Sequence, residues 1–229
     1  METIKIGNQE WATKNLNFQS FLNGDLILFA ATLKEWSEAG KTKKPAWCYV
    51  NQSKETANNY GLFYNRYVIE DPRGIIPHGW KLPDRKDVRE LKDCLNIAFG
   101  KNNYSKKIKT TTGWLKFKEF KNYGDDDYRP TGKIINPNGD NFTGLGFAPT
   151  GYRDNSRDNI NSTAAFDKDL SNYEEGFHEF GSEAKFWMEA PLSNDDVDNS
   201  PFFELSDNML GFSGWAHNST GMAIRLIKI

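Results

Sequence analysis

A chain of 229 residues with 29 Lys+Arg against 31 Asp+Glu has a net charge of −2, and so lacks the cationic excess that non-specific binding to nucleic acid or an anionic membrane relies on. Only 38% of the residues are hydrophobic, yet 7 Trp, 9 Tyr and 16 Phe supply large packing units, so the chain is expected to fold around aromatics. The 23 Asn, 19 Gly and 9 Pro favour turns over long helices, and no apolar run approaches the roughly 20 residues of a membrane span, which argues against membrane insertion.

The N-terminus enters β alternation at once. Ile4 and Ile6 alternate with Lys5, Gly7-Asn8 supplies a turn and Trp11 opens the return, giving a hairpin over Thr3 to Trp11. With no charged leader and apolar run before it, the chain as written is expected to be cytoplasmic, or secreted or at the cell surface if a leader was removed. Leu26 to Ala31 is a core-sized apolar run, and Leu26 to Ala39 has room for a helix. Ser53 to Tyr67 reads as another, at a cost of about 1 kcal/mol for Gly61 in its middle. The clearest helix follows Pro83: Asp84 is its N-cap, Asp87 the acid three residues on, and Gly100 its end. Val88, Leu91, Leu95 and Ala98 form its core stripe, with Arg89, Glu90, Lys92 and Asp93 facing water. Cys48 and Cys94 are too far apart in sequence for a zinc or redox motif; buried thiols are the favoured reading, with a disulfide or a reactive thiol as alternatives.

Beyond Gly100, short aromatic segments alternate with turn-rich stretches, and Tyr152 to Glu183 reads as one long loop. Phe186-Trp187 is strand-like. Gly221 to Ile229 reads as a terminal strand, with Met222, Ile224 and Leu226 on one face and Arg225 opposite them. Terminal segments fray unless tied down, so the last strand is expected to lie beside the strand of Ile4, with the two ends of the chain close together. No repeat, low-complexity tract or linker divides the sequence, and residues 1–229 read as one domain.

Several segments, taken in order, resemble the Fibrobacter succinogenes major paralogous domain family. They are Ile6-Gly7-Asn8-Gln9-Glu10-Trp11 with Asn15-Leu16, Tyr60-Gly61-Leu62-Phe63-Tyr64-Asn65, Pro77-His78-Gly79-Trp80-Lys81-Leu82-Pro83, Phe147 to Arg153, Phe186-Trp187 and Gly221 to Arg225. Lys81, Asp87-Val88 and Met188-Glu189 depart from the family's pattern. The resemblance implies an α+β, C-type-lectin-like fold akin to that of formylglycine-generating enzymes: small antiparallel sheets, paired N- and C-terminal strands, two or three helices and long loops. It implies no activity. On physical grounds, Gly79-Trp80 would bury an indole against the helix stripe, with Pro83 rigidifying the helix entry.

Chemistry-bearing motifs are few. His78, His178 and His217 have no close partner at metal-ligand spacing, and nucleophile-elbow, phosphate-loop and dinucleotide fingerprints are absent. The resemblance also lacks the paired C-terminal cysteines of formylglycine-generating enzymes, since no cysteine follows Cys94, and the clustered iron-binding histidines of the sulfoxide synthases. Asn194, Asp196 and Asp198 have spacing suited to oxygen ligands for calcium, but the glycine and the closing Glu of an EF-hand are missing. Asp125 to Asp127 reads as a solvated turn, as do the lysine runs 41–44 and 106–109; the five Asn-X-Ser/Thr sequons, at Asn51, Asn103, Asn141, Asn161 and Asn218, are what high Asn content gives by chance. No cofactor and no metal is expected.

What remains is aromaticity among small polar residues before the terminal strand. Phe202, Phe203, Phe212, Trp215, His217 and Asn218, bordered by Tyr152 and Arg153, have the make-up of a recognition surface; the competing reading makes the aromatics lids on a core. The expected function is a binding or adhesion module for a protein or carbohydrate ligand. The alternatives are an enzyme using loop acids and His217, and a structural subunit of a surface or injection assembly.

Overall fold

The computed structural model describes residues 1–122, 128–154, 175–190, 198–206 and 209–229. The N-terminal hairpin forms as expected: β1 (Thr3–Ile6) and β2 (Gln9–Ala12) pair antiparallel, with Gly7 at φ 59° in the first turn position. The end of the chain, β14 (Ile227–Lys228), joins them, but it pairs with β2 and with β6 (Trp80–Lys81), not with β1. The hairpin occupies one edge of β2 and leaves the other open, so the strand of Ile4 lies at the sheet edge while fully buried Trp11 stands between Ile4 and Ile227.

Two helices exceed two turns among the described residues, α1 (Leu33–Lys41) and α4 (Arg85–Phe99). In α4 the Asp84 carboxylate accepts the Asp87 N–H at 2.8 Å, while the Asp87 carboxylate accepts the Asp84 N–H at 2.9 Å. Val88, Leu91 and Leu95 are buried as the stripe requires; Ala98 is exposed and half-buried Phe99 packs on the core in its place. Trp80 packs not on this stripe but in the second apolar cluster, with Leu82, Ile224 and Leu226, because its strand is laced to β14.

The helix expected over Ser53 to Tyr67 is broken. Two 3-10 turns precede α2 (Ala57–Tyr60), Gly61 at φ 75° ends it, and the chain then extends as β5 (Leu62–Tyr64) before α3 (Arg66–Glu70). The Gly61 Cα faces Asn15 and the Leu16 carbonyl so closely that only glycine fits, and that contact outweighs helical propensity. Likewise Leu26 to Ala39 is only partly helical: β3 (Leu28–Phe29) pairs parallel with β4 (Ala46–Tyr49), which pairs antiparallel with β5. The apolar run there is split between core and surface, Ile27 and Ala30 buried and Leu26, Leu28 and Phe29 exposed. A single turn, α5 (Ser105–Ile108), and a hairpin of β7 (Phe117–Asn122) with β8 (Tyr128–Ile135) follow. Lys109, read as solvated, is buried with its ammonium 4.0 Å from the Trp114 ring centre.

Within Tyr152 to Glu183, β9 (Tyr152–Arg153) and β10 (Phe177–His178) pair, so its ends are strands and not loop; residues 155–174 lie outside the described ones. The last sheet runs β11 (Ala184–Trp187), β12 (Asn199–Leu205), β13 (Leu210–His217), all antiparallel. Its two faces feed separate cores: Phe186, Phe203 and Leu205 join Trp11 and α4, whereas Trp187 and Phe202 join Tyr64 and Met222.

The final segment corrects the expected terminal strand. Residues 218–227 are all buried, and three of them bridge singly rather than forming a ladder: Gly221 to Arg153, Met222 to Tyr64, Ala223 to Phe186. Arg225 is not on a solvent face. It donates from Nε to Asn15 Oδ1 at 2.7 Å and from Nη1 to the carbonyls of Ala12 and Leu145 at 2.9 and 2.6 Å. A segment threaded between sheets has both sides covered, so alternation no longer sorts inside from outside. Cys48 and Cys94 are free thiols, Cys48 buried and Cys94 against Gly7.

Candidate functional site

Phe212 and Trp215 are three residues apart, an odd spacing that would send them to opposite faces of a regular strand. The pairing of β12 with β13 prevents this. Phe202 pairs with Gly214 and Phe203 with Phe212, so Ser213 is an extra residue at a bulge. Trp215 pairs with Pro201 and His217 with Asn199, which puts Phe212, Trp215 and His217 on one face of β13. Phe212 and Trp215 retain 36% and 40% exposure, with ring centres 6.5 Å apart and near perpendicular. The first turn of α4 packs on this strand, and the Arg85 guanidinium lies 3.7 Å from the Phe212 ring centre and 5.7 Å from that of Trp215. His217 is exposed; its Nδ1 accepts the Ser219 N–H at 3.1 Å and lies 2.7 Å from the Ser219 hydroxyl. The result is an exposed strip of two aromatic rings, an imidazole and a stacked guanidinium.

The other residues expected at the site divide. Arg153 is fully buried and structural: it donates to the carbonyls of Ala30 at 2.8 Å, Ala31 at 3.0 Å and Glu175 at 3.1 Å, and lies over the rings of Trp36 and Phe177. Phe203 is fully buried between Phe186 and Trp11, since its face of β12 is the core face. Asn218 is buried, accepting from the Ser200 hydroxyl at 2.8 Å while its carbonyl accepts the Arg66 N–H. These three are corrections: turn-rich sequence did not mean surface, because the segments that carry them are enclosed by neighbouring sheets.

Tyr152 and Phe202 are half-buried and come together elsewhere, around Lys185. The Lys185 ammonium lies 4.6 Å from the Tyr152 ring centre, and 2.5, 3.2 and 3.8 Å from carboxylate oxygens of Glu179, Glu183 and Glu204. Burial works against the ammonium, but the pull of Glu179 and Glu183 raises its pKa well above the usual lysine range. Burial raises the Glu183 carboxyl, with Lys185 opposing and Glu179 adding to the rise. Burial, reinforced by Glu179 and Asp154, pushes the Tyr152 phenol up to about 12. Tyr152 in turn stacks on His178, which is buried with its Nε2 2.9 Å from Asp154 Oδ1. Lys185 draws the three carboxylates together, which makes the cluster a clamp between β9, β10 and β11 more than an open site.

Sequence reading missed Arg85, whose only local role is to follow the N-cap, and the carboxylates that ring Lys185. No signal in the sequence brings Arg85 to Phe212, because the two are far apart in the chain and meet only when α4 packs on β13. Among the described residues no group of three or more His, Cys, Asp or Glu is placed to hold a metal ion. The Asn194 to Asp198 loop lies outside the described residues except for Asp198, which pairs with Lys43 at 2.9 Å; Asp125 to Asp127 and Asn161 lie outside them altogether. Nor is any described helix long and apolar enough to cross a membrane.

One family model, described as the Fibrobacter succinogenes major domain, matches residues 4–228. No curated protein and no solved structure matches the chain.

Proposed function

Since the chain belongs to the Fibrobacter succinogenes major domain family, whose model spans nearly all of it, we propose that it is a binding or adhesion module that presents the Phe212–Trp215–His217 strip to a protein or glycan ligand. The scaffold proposed is C-type-lectin-like. Support for it comes from terminal segments laced into one sheet and from an irregular C-terminal half built on short strands.

The observation that carries the functional reading is the bulge at Ser213. It puts two large aromatic side chains on one face of an edge strand and leaves both over a third exposed, where a fold needing them only as core would cover them. Rigid rings give contact area at small entropic cost, and truncating such an anchor typically costs a complex 2 kcal/mol or more. The enzymatic alternative has less support, because His217 is bonded to Ser219 and the acids of the other cluster are gathered onto Lys185.

A glycan and protein-ligand screen with the wild-type chain and the Trp215→Ala and Phe212→Ala variants tests the proposal. Both variants should keep the far-UV circular dichroism of the wild type and lose the ligand at least tenfold. Variants that unfold, or that bind every wild-type ligand with unchanged affinity, would return the two rings to a purely structural role.

A further inference from the structure

We infer that the strip on β13 and the adjoining flank of α4 form one surface for an acidic saccharide, a sugar chain bearing carboxylates of the uronic-acid type. The inference rests on the reading of Phe212 and Trp215 as a binding strip and specifies its ligand.

The charge on the flank carries it. Arg85, Arg89 and Lys92 stand at i, i+4 and i+7, and with 100° per residue they fall within about 60° of one another around the helix. The buried stripe of Val88, Leu91 and Leu95 lies to one side of them, and Lys86, Glu90 and Asp93 lie on the far side. Three cations therefore line one flank with no acid among them, beside a strand whose residues 210–217 include no Asp, Glu, Lys or Arg.

Among the described residues, three nearby acids are engaged elsewhere. Asp84 and Asp87 close the capping box, and Asp87 also accepts from Lys81 at 2.6 Å and from Gln9. Asp198 pairs with Lys43. Exposed Glu189, which touches the helix entry through its backbone bond to Pro83, makes no ion pair with Arg85.

Arg85 differs from the other arginines of the core and rim. Arg66 and Arg73 pair with carboxylates, Arg153 is held by carbonyls and Glu175, and Arg225 is consumed by carbonyls. Arg85 spends only the face of its guanidinium, on Phe212, and among the described residues no carboxylate takes its N–H edge. A planar fork held by ring stacking with its donors outward is suited to a carboxylate, which it binds bidentately. The Trp215 ring beside it offers a flat apolar face to the C–H side of a sugar ring. A neutral sugar would leave the cations unused, whereas an acidic peptide would match them without needing two exposed rings. The overall charge of −2 keeps long polyanions from being drawn in without specificity, so recognition depends on this local match.

The test is isothermal titration of the full chain with trigalacturonate, with its fully methyl-esterified form and with hexaglutamate, at low and high salt. Trigalacturonate should bind, weaken at least tenfold on esterification and in Arg85→Gln, weaken likewise in Trp215→Ala, and lose affinity as salt rises. Equal binding of acid and ester, with Arg85→Gln neutral and Trp215→Ala impaired, would overturn the acidic class while leaving the binding strip standing. Tighter binding of hexaglutamate than of either sugar would overturn it in favour of an acidic peptide. Absence of binding by all three probes would overturn it as well, and the broader screen above would then judge the strip separately.

Discussion

Replacing Arg225 with methionine should destabilise the protein by about 4 kcal/mol. The guanidinium is fully enclosed and, among the described residues, has no carboxylate partner; burial drives its pKa down to about 9. Against that cost stand three short hydrogen bonds, to Asn15 Oδ1 and to the carbonyls of Ala12 and Leu145, and a ring contact with Phe147 at 4.9 Å. Methionine fills much of the volume but strips three buried oxygens of their donors, at about 1–3 kcal/mol each. Removal of a desolvated cation gives part of this back, which places the net loss near 4 kcal/mol. Lysine at this position keeps the charge but not the fork, and should lose nearly as much. Urea unfolding followed by tryptophan fluorescence reads the effect: with m of about 3 kcal/mol per M, the midpoint should fall by more than 1 M. Hydrogen exchange should also accelerate at the Leu16 amide, which bonds the Ile224 carbonyl at 2.9 Å. A methionine variant as stable as the wild type would refute the reasoning, because it would mean that the hydrogen bonds merely offset the burial they require.

Lys185→Met should cost about 3–5 kcal/mol at neutral pH by leaving Glu179, Glu183 and Glu204 without their shared cation. The deficit should shrink in acid. The folded-state pKa of Glu183 is already raised, so its contribution is fully present below its ordinary carboxylate value and is lost as pH rises through the folded value; without Lys185 that window widens upward. Chemical denaturation between pH 4 and 8 checks this, and a deficit independent of pH would refute it. Gly151→Ala should abolish folding or lower the melting temperature steeply, because φ there is 64° and a Cβ would strike the backbone of His178, Glu179 and Phe180. Thermal unfolding within a few degrees of wild type would show that β9 and β10 can separate to admit it.

The parts of this fold legible in the sequence are those decided by near neighbours in the chain. The β1–β2 hairpin follows from alternation and a two-residue Gly-Asn turn, and α4 follows from Asp84, the stripe of Val88, Leu91 and Leu95, and Gly100. Where residues distant in sequence compete, local signals fail. Gly61 yields to the crossing of Asn15 and Leu16, and the segment around Arg225 yields to enclosure on both sides. The same division holds at the candidate site: Trp215 and His217 lie on the exposed strip, whereas Arg153, Phe203 and Asn218 are covered by strands that the local sequence does not announce.

Composition and pattern alone thus determined an aromatic-cored α+β chain, its family, its capped helix and the gathering of its ends in one sheet. Only the tertiary structure decided which aromatics stay in water, through one extra residue in β13, and which cation faces them, through the packing of α4. The reason is physical: turns and helix caps are settled by bonds between residues a few positions apart, while burial is settled by whichever distant segment arrives to exclude water.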